Sequence, residues 1–396
     1  MQLTDKQKQF IHDHASDDIN KLLLGAKKYP DMDIPFLVEQ IASRKQIREK
    51  LPSWYENEDL LFPAKIAAEQ CSSEQTARYK QRLVSAADSM CDLTGGLGID
   101  SFFFSQKVKQ LTYIERFPAY CEVARHNFQV LGASNMIVRN DNSTDILADL
   151  PEVDAFYIDP ARRGEGNKRV YALSDCEPDL PVILPDLFKK SPRVIAKLSP
   201  MADLQQTLSL LPGTVAVHVL SVKNECKELL FDIRRDADQI ISPEIHCIGF
   251  TSSCEEQSFG FTLTEEHEAS PVYTSEVKDY LYEPNASILK AGAFKSVALR
   301  FGLEKLHVSS QLYTSSSFVC DFPGRKFKVE EILPFSGRLC KNLAKECPKA
   351  NITVRNFPLS VEELRKRTKI KDGGDVYLFA TTLSNGEKVM IRGIRA

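Results

Sequence analysis

Between residue 86 and about residue 240, short apolar runs alternate with longer stretches of helical character, and this alternation limits the fold more than any other feature of the 396-residue chain. The runs MCDL, QLTYIE, NMIVRN, DAFYIDP, RVIAKLSP, AVHVLSV and ELLFDI are strand candidates. Most of the segments between them are long enough to cross over a sheet, which parallel neighbours require. Runs such as AFYI and VIA are apolar at successive positions, as expected of strands covered on both faces. The pattern predicts an α/β fold built on a doubly wound, mainly parallel sheet.

The flanks have a different texture. Over residues 1–80, apolar positions such as Phe10, Ile11, Ile19, Leu22, Leu23, Phe36, Leu37, Ile41 and Ile47 recur at three-to-four spacing. They predict helices that Pro30, Pro35 and Pro52 divide into pieces. Ser72-Ser73-Glu74 before TARYKQRLVSAA has the form of a helix start, because a serine cap and an early acid satisfy free backbone donors. Beyond about 240, IHCIGFT, FGFTLT and FKSVALRFGL suggest a small α+β domain, with YLYEP at Tyr280 to Pro284 opening a helical stretch. A second module follows: FKVEEILPF, a helix over GRLCKNLAKEC, ITVRNF, a helix over SVEELRKRT, then VYLFATTL and KVMIRGI joined by the hairpin pair Asn385-Gly386. The chain is longer than one core normally supports. The changes of texture divide it into a helical region over 1–80, a central domain over 81–240 and small α+β domains over 241–321 and 322–396.

No stretch approaches the roughly 18 uninterrupted apolar residues of a membrane span. The polar N-terminus MQLTDKQKQFIHDH lacks the apolar run of a signal peptide, so a cytoplasmic protein is expected. Ten cysteines lie singly, without a CxxC pair, and are expected to be reduced thiols. His12 and His14 have no third ligand nearby, and no metal site is expected. The net charge of −3 conceals an asymmetry: residues 321–396 hold 16 Lys and Arg against 9 Asp and Glu, which leaves the preceding part at −10 (−3 minus +7). A basic module on an acidic body is an electrostatic footprint suited to nucleic acid, or else a solvated charged face.

The sharpest local signal is Asp92-Leu93-Thr94-Gly95-Gly96-Leu97-Gly98, after the first strand. Gly95, Gly96 and Gly98 permit a tight turn into a helix and a close approach of ligand to backbone. Twenty residues after Gly95 comes Glu115, at the tip of the second strand, where a carboxylate can accept both ribose hydroxyls of an adenosine cofactor. The glycine spacing is not that of the dinucleotide fingerprint. Asp92 would repel a pyrophosphate but attract a methionyl amine. The loop is therefore assigned to S-adenosylmethionine (SAM), with Asp92, Thr94, Gly95, Gly96, Gly98 and Glu115 as its residues. Asp141, after the third run, is either a ligand of the adenine amino group or an ordinary turn residue.

The fourth run ends in Asp159-Pro160-Ala161-Arg162-Arg163-Gly164. In an open α/β sheet the substrate meets the cofactor beyond the carboxyl ends of the central strands. Asp159 and the Pro160 carbonyl can both accept hydrogen bonds from an amine and so orient its lone pair, which is catalysis by positioning. This tetrapeptide resembles the (Asp/Asn)-Pro-Pro-(aromatic) motif of class I amino-methyltransferases, with Ala161 and Arg162 in place of the second proline and the stacking aromatic. It also looks like the D-P-P-R-x-G of RNA uracil carbon-5 methyltransferases, but Leu198 of Lys197-Leu198-Ser199-Pro200 stands where their cysteine nucleophile belongs.

Taken along EQCSSEQTARYK, DLTGGLGID, DPARR, KLSPMADL, ECKELLF, YLYEPNASILKAG and RNFPLSVEELRKRTKIKDGGD, the chain resembles bacterial class I SAM-dependent methyltransferases that carry a ferredoxin-like and a C-terminal THUMP-like domain. The resemblance implies a Rossmann-like central sheet and an RNA substrate. On this reading a base nitrogen of tRNA or rRNA is methylated, SAM is the cofactor, and Asp159, Pro160 and Arg162 handle the acceptor. Two alternatives stand beside it: an RNA-binding protein with an inactive transferase domain, and a methyltransferase acting on a small molecule or a protein. Arg365, Lys366, Arg367, Lys369 and Lys371 form a cationic cluster that could contact RNA phosphates or complement a helix dipole. Lys227-Glu228 reads as a structural ion pair or a solvated pair rather than a pocket pair, and Trp54 with Tyr55 as packing rather than a stacking platform.

Overall fold

A computed structural model describes residues 2–162, 173–237 and 242–396. The chain divides into two units, Met1–Val215 with Leu230–Ile240, and Ala216–Leu229 with Ile241–Ala396.

In the first unit the N-terminal helices are α1 (Asp5–Asp13), α2 (Ile19–Leu24), α3 (Ile34–Ile47), α4 (Pro52–Glu56), α5 (Lys65–Gln70) and α6 (Glu74–Gln81). Pro35 and Pro52 stand in the first turns of α3 and α4, where proline lacks only an N–H that would be unpaired anyway. Ser73 caps α6 by accepting from the Thr76 N–H at 3.2 Å, as its sequence context predicts. There follow β1 (Ser89–Asp92), α7 (Ile99–Ser105), β2 (Gln110–Ile114), α8 (Pro118–Val130), β3 (Met136–Arg139), β4 (Ala155–Ile158), α9 (Leu180–Leu187), β5 (Arg193–Leu198), α10 (Leu204–Leu210), β6 (Thr214–Val222) and β7 (Glu225–Arg234).

The strands of this unit lie in the order β3-β2-β1-β4-β5-β7. The pairings of β1 with β2 and β4, of β2 with β3 and of β4 with β5 are parallel, which is the doubly wound arrangement expected from the alternation. All four residues of β4 are buried, so its unbroken apolar run is the signature of a strand covered on both faces. The core joins Trp54 and Phe62 from the helical region to Phe102, Phe103, Phe104, Tyr113, Phe128 and Tyr157 around the sheet. Trp54 is fully buried and packs edge-on against Phe102, so it is a core residue and not a platform for a base.

The chain passes into the second unit within β6 and returns within β7. Between them a two-residue turn, Lys223-Asn224, has positive φ at both positions, the backbone that a tight hairpin needs. In that unit β6 pairs in parallel with β8 (Glu244–Phe250), which is antiparallel to β9 (Glu256–Thr262). Next come α11 (Leu263–Glu268), β10 (Tyr280–Pro284), α12 (Ala286–Ala291), α13 (Ser296–Arg300), β11 (Glu304–His307), β12 (Ser310–Ser315), β13 (Gly324–Pro334), α14 (Gly337–Glu346), β14 (Asn351–Arg355), α15 (Val361–Thr368), β15 (Val376–Thr382) and β16 (Lys388–Arg395). YLYEP is itself a strand, and the helix begins only after Asn285, whose side chain accepts from the Ser287 and Ile288 N–H groups. The second sheet runs β11-β12-β10-β13-β16-β15-β14, and Gly386, at φ 87°, closes the β15–β16 hairpin.

Candidate active site

Strand β1 carries Asp92 to the carboxyl edge of the first sheet, and the chain then turns through Leu93 to Gly98 into α7. Leu93 N–H donates to the Tyr157 carbonyl and Gly95 N–H to the Ile114 carbonyl, both at 2.9 Å, so the turn is pinned to β4 on one side and β2 on the other. Glycine is required at position 95, where a Cβ would lie 2.2 Å from Tyr113 Cε2. That ring is buried and held by its hydroxyl, which donates to the Gly96 carbonyl at 2.6 Å. Gly98 adopts φ 82° at the start of α7, a conformation costly for other residues.

Glu115 follows β2 and faces this turn. Its Oε2 accepts from Gly96 N–H and its Oε1 from Phe117 N–H, each at 2.9 Å. Two backbone donors therefore aim a buried carboxylate, and each oxygen keeps a further lone pair for an incoming hydroxyl. A Cβ at Gly96 would meet nothing closer than 3.8 Å, so no protein atom crowds the turn there. The two acceptor oxygens fit the vicinal hydroxyls of a ribose.

Asp92 is 2% exposed, and its oxygens accept from Thr94 N–H at 3.0 Å and Ser101 Oγ at 2.5 Å. Burial pushes its pKa up to about 7 against the lowering pull of those two donors, with the carboxylates of Asp100 and Asp159 adding to the rise. A cation brought close would hold it ionised. Asp141 is half-exposed and already takes the Arg139 Nε–H at 2.9 Å. Its carboxylate is thus paired next to β3 rather than unengaged.

Thr94 joins the two halves of the site. Its hydroxyl oxygen accepts from Asp159 N–H at 2.7 Å, which ties the glycine turn to the end of β4. Pro160 is buried, and Ala161–Arg162 pairs antiparallel with Cys176–Glu177. The side chain of Arg162, together with Arg163 and Gly164, lies outside the described residues.

Behind Asp159 stands a group of polar residues that sequence reasoning did not single out. Lys197, near the end of β5, donates to Asp159 Oδ2 and lies 4.0 Å from Asp100. Asp100, in the first turn of α7, accepts from Tyr157 Oη at 2.6 Å and Ser72 Oγ at 2.8 Å, and pairs with Lys80 at 2.8 Å. Lys80, on α6, is fully buried. Burial pushes the Asp100 pKa up, but Lys80 and Lys197 outweigh it and hold the carboxylate at about 2. For Asp159, burial outweighs the lowering effect of Lys197 and the pKa rises. Ser72, Lys80 and Lys197 all fall in the strings EQCSSEQTARYK and KLSPMADL. A lysine inside the apolar run RVIAKL was a signal that the strand ends at a site.

Other expectations divide. Lys227 pairs with Glu225 at 2.7 Å. His14 contacts Asp17 and His12 contacts Asp13, and among the described residues no three His, Cys, Asp or Glu side chains gather as for a metal ion. No helix among the described residues is long and apolar enough to cross a membrane. Arg365, in the last turn of α15, donates to the carbonyls of Ile370 and Ala350 at 3.2 Å and pairs with Asp372. Lys366, Arg367, Lys369 and Lys371 are exposed.

Two family descriptions match the C-terminal part: a ferredoxin-like domain over residues 280–323 and a THUMP domain-like module over 324–394. No curated protein matches the sequence. Among solved structures, a "putative methyltransferase" of Porphyromonas gingivalis is 38% identical, with 100% of each chain covered and a TM-score of 0.88. An rRNA methylase of Streptococcus thermophilus is 11% identical over 40% of this chain and 94% of its own, with a TM-score of 0.32. Trm5b of Pyrococcus abyssi is 13% identical over 44% of this chain and 52% of its own, at 0.32. By its full-length relation to the Porphyromonas protein, the chain belongs to a family of class I methyltransferases that carry ferredoxin-like and THUMP-like domains.

Proposed function

We propose that this protein is a cytoplasmic, SAM-dependent methyltransferase that methylates a base nitrogen of tRNA or rRNA. The observation that carries the reading is the Thr94–Asp159 hydrogen bond, which fixes a ribose-competent turn beside an acceptor-orienting Asp-Pro pair. Bound SAM supplies an activated methyl group. The Gly95-Gly96 turn and Glu115 hold its adenosine, Asp92 attracts its amine through charge, and Asp141, after β3, is assigned to the adenine amino group. At the other edge, Asp159 and the Pro160 carbonyl accept hydrogen bonds from the acceptor nitrogen. Its lone pair is then aimed at the methyl carbon, and Arg162 contacts the base or an adjoining phosphate.

RNA as the substrate is supported by the THUMP-like module. Its helices α14 and α15 pack together and expose Arg338, Lys341 and Lys345 from one and Lys366 and Arg367 from the other. Such a layer suits a phosphate backbone, whose contacts give affinity without reading sequence. Nucleoside mass spectrometry of total RNA from cells with and without the gene tests the proposal. One methylated nucleoside should disappear when the gene is removed. Identical nucleoside profiles would overturn it.

A further inference from the structure

The polar group behind Asp159 calls for a reason to exist. Lys80, Asp100, Lys197 and Asp159 form a chain of alternating charge that begins at a fully buried ammonium and ends at a carboxylate with 38% of its side chain open. Lys197 itself is only 12% exposed. Burying the charges of Lys80, Asp100 and Lys197 costs desolvation that apolar side chains of the same volume would avoid, so fold stability alone gives little reason for them. The chain also has a direction. Asp100 is satisfied by Lys80, Tyr157 and Ser72, which leaves Lys197 at 4.0 Å from it and in direct contact with Asp159. The parallel register, in which Ile158 pairs with Ala196, puts Asp159 and Lys197 side by side at the carboxyl edge, where the sheet meets its substrate.

We infer that Lys197, anchored from behind by Asp100 and Lys80, is a positioning residue that holds Asp159 as an aimed, ionised carboxylate for the acceptor nitrogen. The inference rests on the reading of Asp159 as the acceptor's partner. In the transfer step the nitrogen lone pair forms the new N–C bond while the S–CH3 electron pair stays on sulfur. The positive charge moves to nitrogen, and the N–H proton passes to Asp159 and then to water. Only the ionised carboxylate can both orient the N–H and take its proton. Burial and the nearby carboxylates of Asp92 and Asp100 oppose ionisation, while Lys197 and Lys80 favour it. Removing the Lys197 charge must therefore raise the pH at which Asp159 becomes competent.

The test compares pH profiles of kcat/KM for wild type, Lys197→Met and Lys197→Arg, using SAM and total RNA from cells lacking the gene. The acid limb should move up by at least about one pH unit in Lys197→Met, and stay within about half a unit of wild type in Lys197→Arg. An unmoved limb in a folded, active Lys197→Met would overturn the inference. Lys197→Gln, which keeps polarity but drops the charge, carries the test should Lys197→Met fail to fold. If wild type transfers nothing to RNA, the proposed substrate is wrong, and Lys197 is judged separately by carboxyl 13C NMR of aspartate-labelled protein. Asp159, assigned from Asp159→Asn, should titrate at least about one pH unit higher without the ammonium, and the same midpoint in both proteins would contradict the role.

Discussion

Removing the Glu115 carboxylate takes away the acceptor of two backbone N–H groups and the proposed partner of the ribose together. Glu115→Ala is therefore expected to weaken SAM binding by about 1.5–3 kcal/mol in calorimetry, the scale of lost charge-assisted hydrogen bonds. Unchanged affinity in a folded variant would make the cofactor assignment wrong. Asp92 gives a second residue-level expectation. Its folded pKa is raised to about 7 by burial, so below that pH the carboxyl is neutral and attracts an ammonium weakly. SAM affinity should rise as the pH climbs from about 6 to about 7.5, and Asp92→Asn should flatten that rise. For folding the pH dependence has the opposite sign: a raised carboxyl pKa destabilises the folded state progressively as pH passes from the unfolded value toward 7. Asp92, Thr94, the glycines and Glu115 were legible in the sequence because their spacing reports a turn and a strand tip. Lys80 and Ser72 were not, because they reach the site from α6 and the turn before it and no local pattern records the contact.

At the scale of elements, the glycine turn depends on Tyr113 as much as on glycine. A methyl group at position 95 would strike a ring that is buried and hydrogen-bonded, so Gly95→Ala is expected to cost about 1–3 kcal/mol in denaturant unfolding, as overpacked cores do. A loss below about half a kcal/mol would mean the turn yields more easily than its packing indicates. Helix α15 shows where a sequence pattern misleads. Five cations in seven residues read as one cluster, yet Arg365 is spent on the carbonyls of Ile370 and Ala350, outside the helix, and Lys369 sits at φ 65° as its left-handed cap. The residues left for phosphate are tested by Lys366→Ala, Arg367→Ala and Lys371→Ala together. RNA affinity measured across a salt series should lose somewhat under one unit of slope per lost contact, with SAM affinity unchanged. Parallel slopes would make the cluster a solvated helix end.

Over the whole molecule, the strands of the central sheet were readable because runs such as AFYI have no other comfortable environment, and the crossovers between them forced parallel pairing. The hairpin at Lys223-Asn224 was not readable, since Lys223 gives no signal of positive φ and the pair lacks the glycine of Asn385-Gly386. Nor was the strand over YLYEP, where the helix signal belongs to Asn285 and beyond. The central claim is that the first unit moves a methyl group from SAM to an RNA base nitrogen held by Asp159. Transfer from deuterium-labelled SAM to RNA of cells lacking the gene, followed by nucleoside mass spectrometry, measures it directly in wild type and Asp159→Ala. One labelled nucleoside from wild type is expected, reduced at least about a hundredfold in a variant that still binds SAM. Equal labelling by both proteins, or label on no base nitrogen, would contradict it.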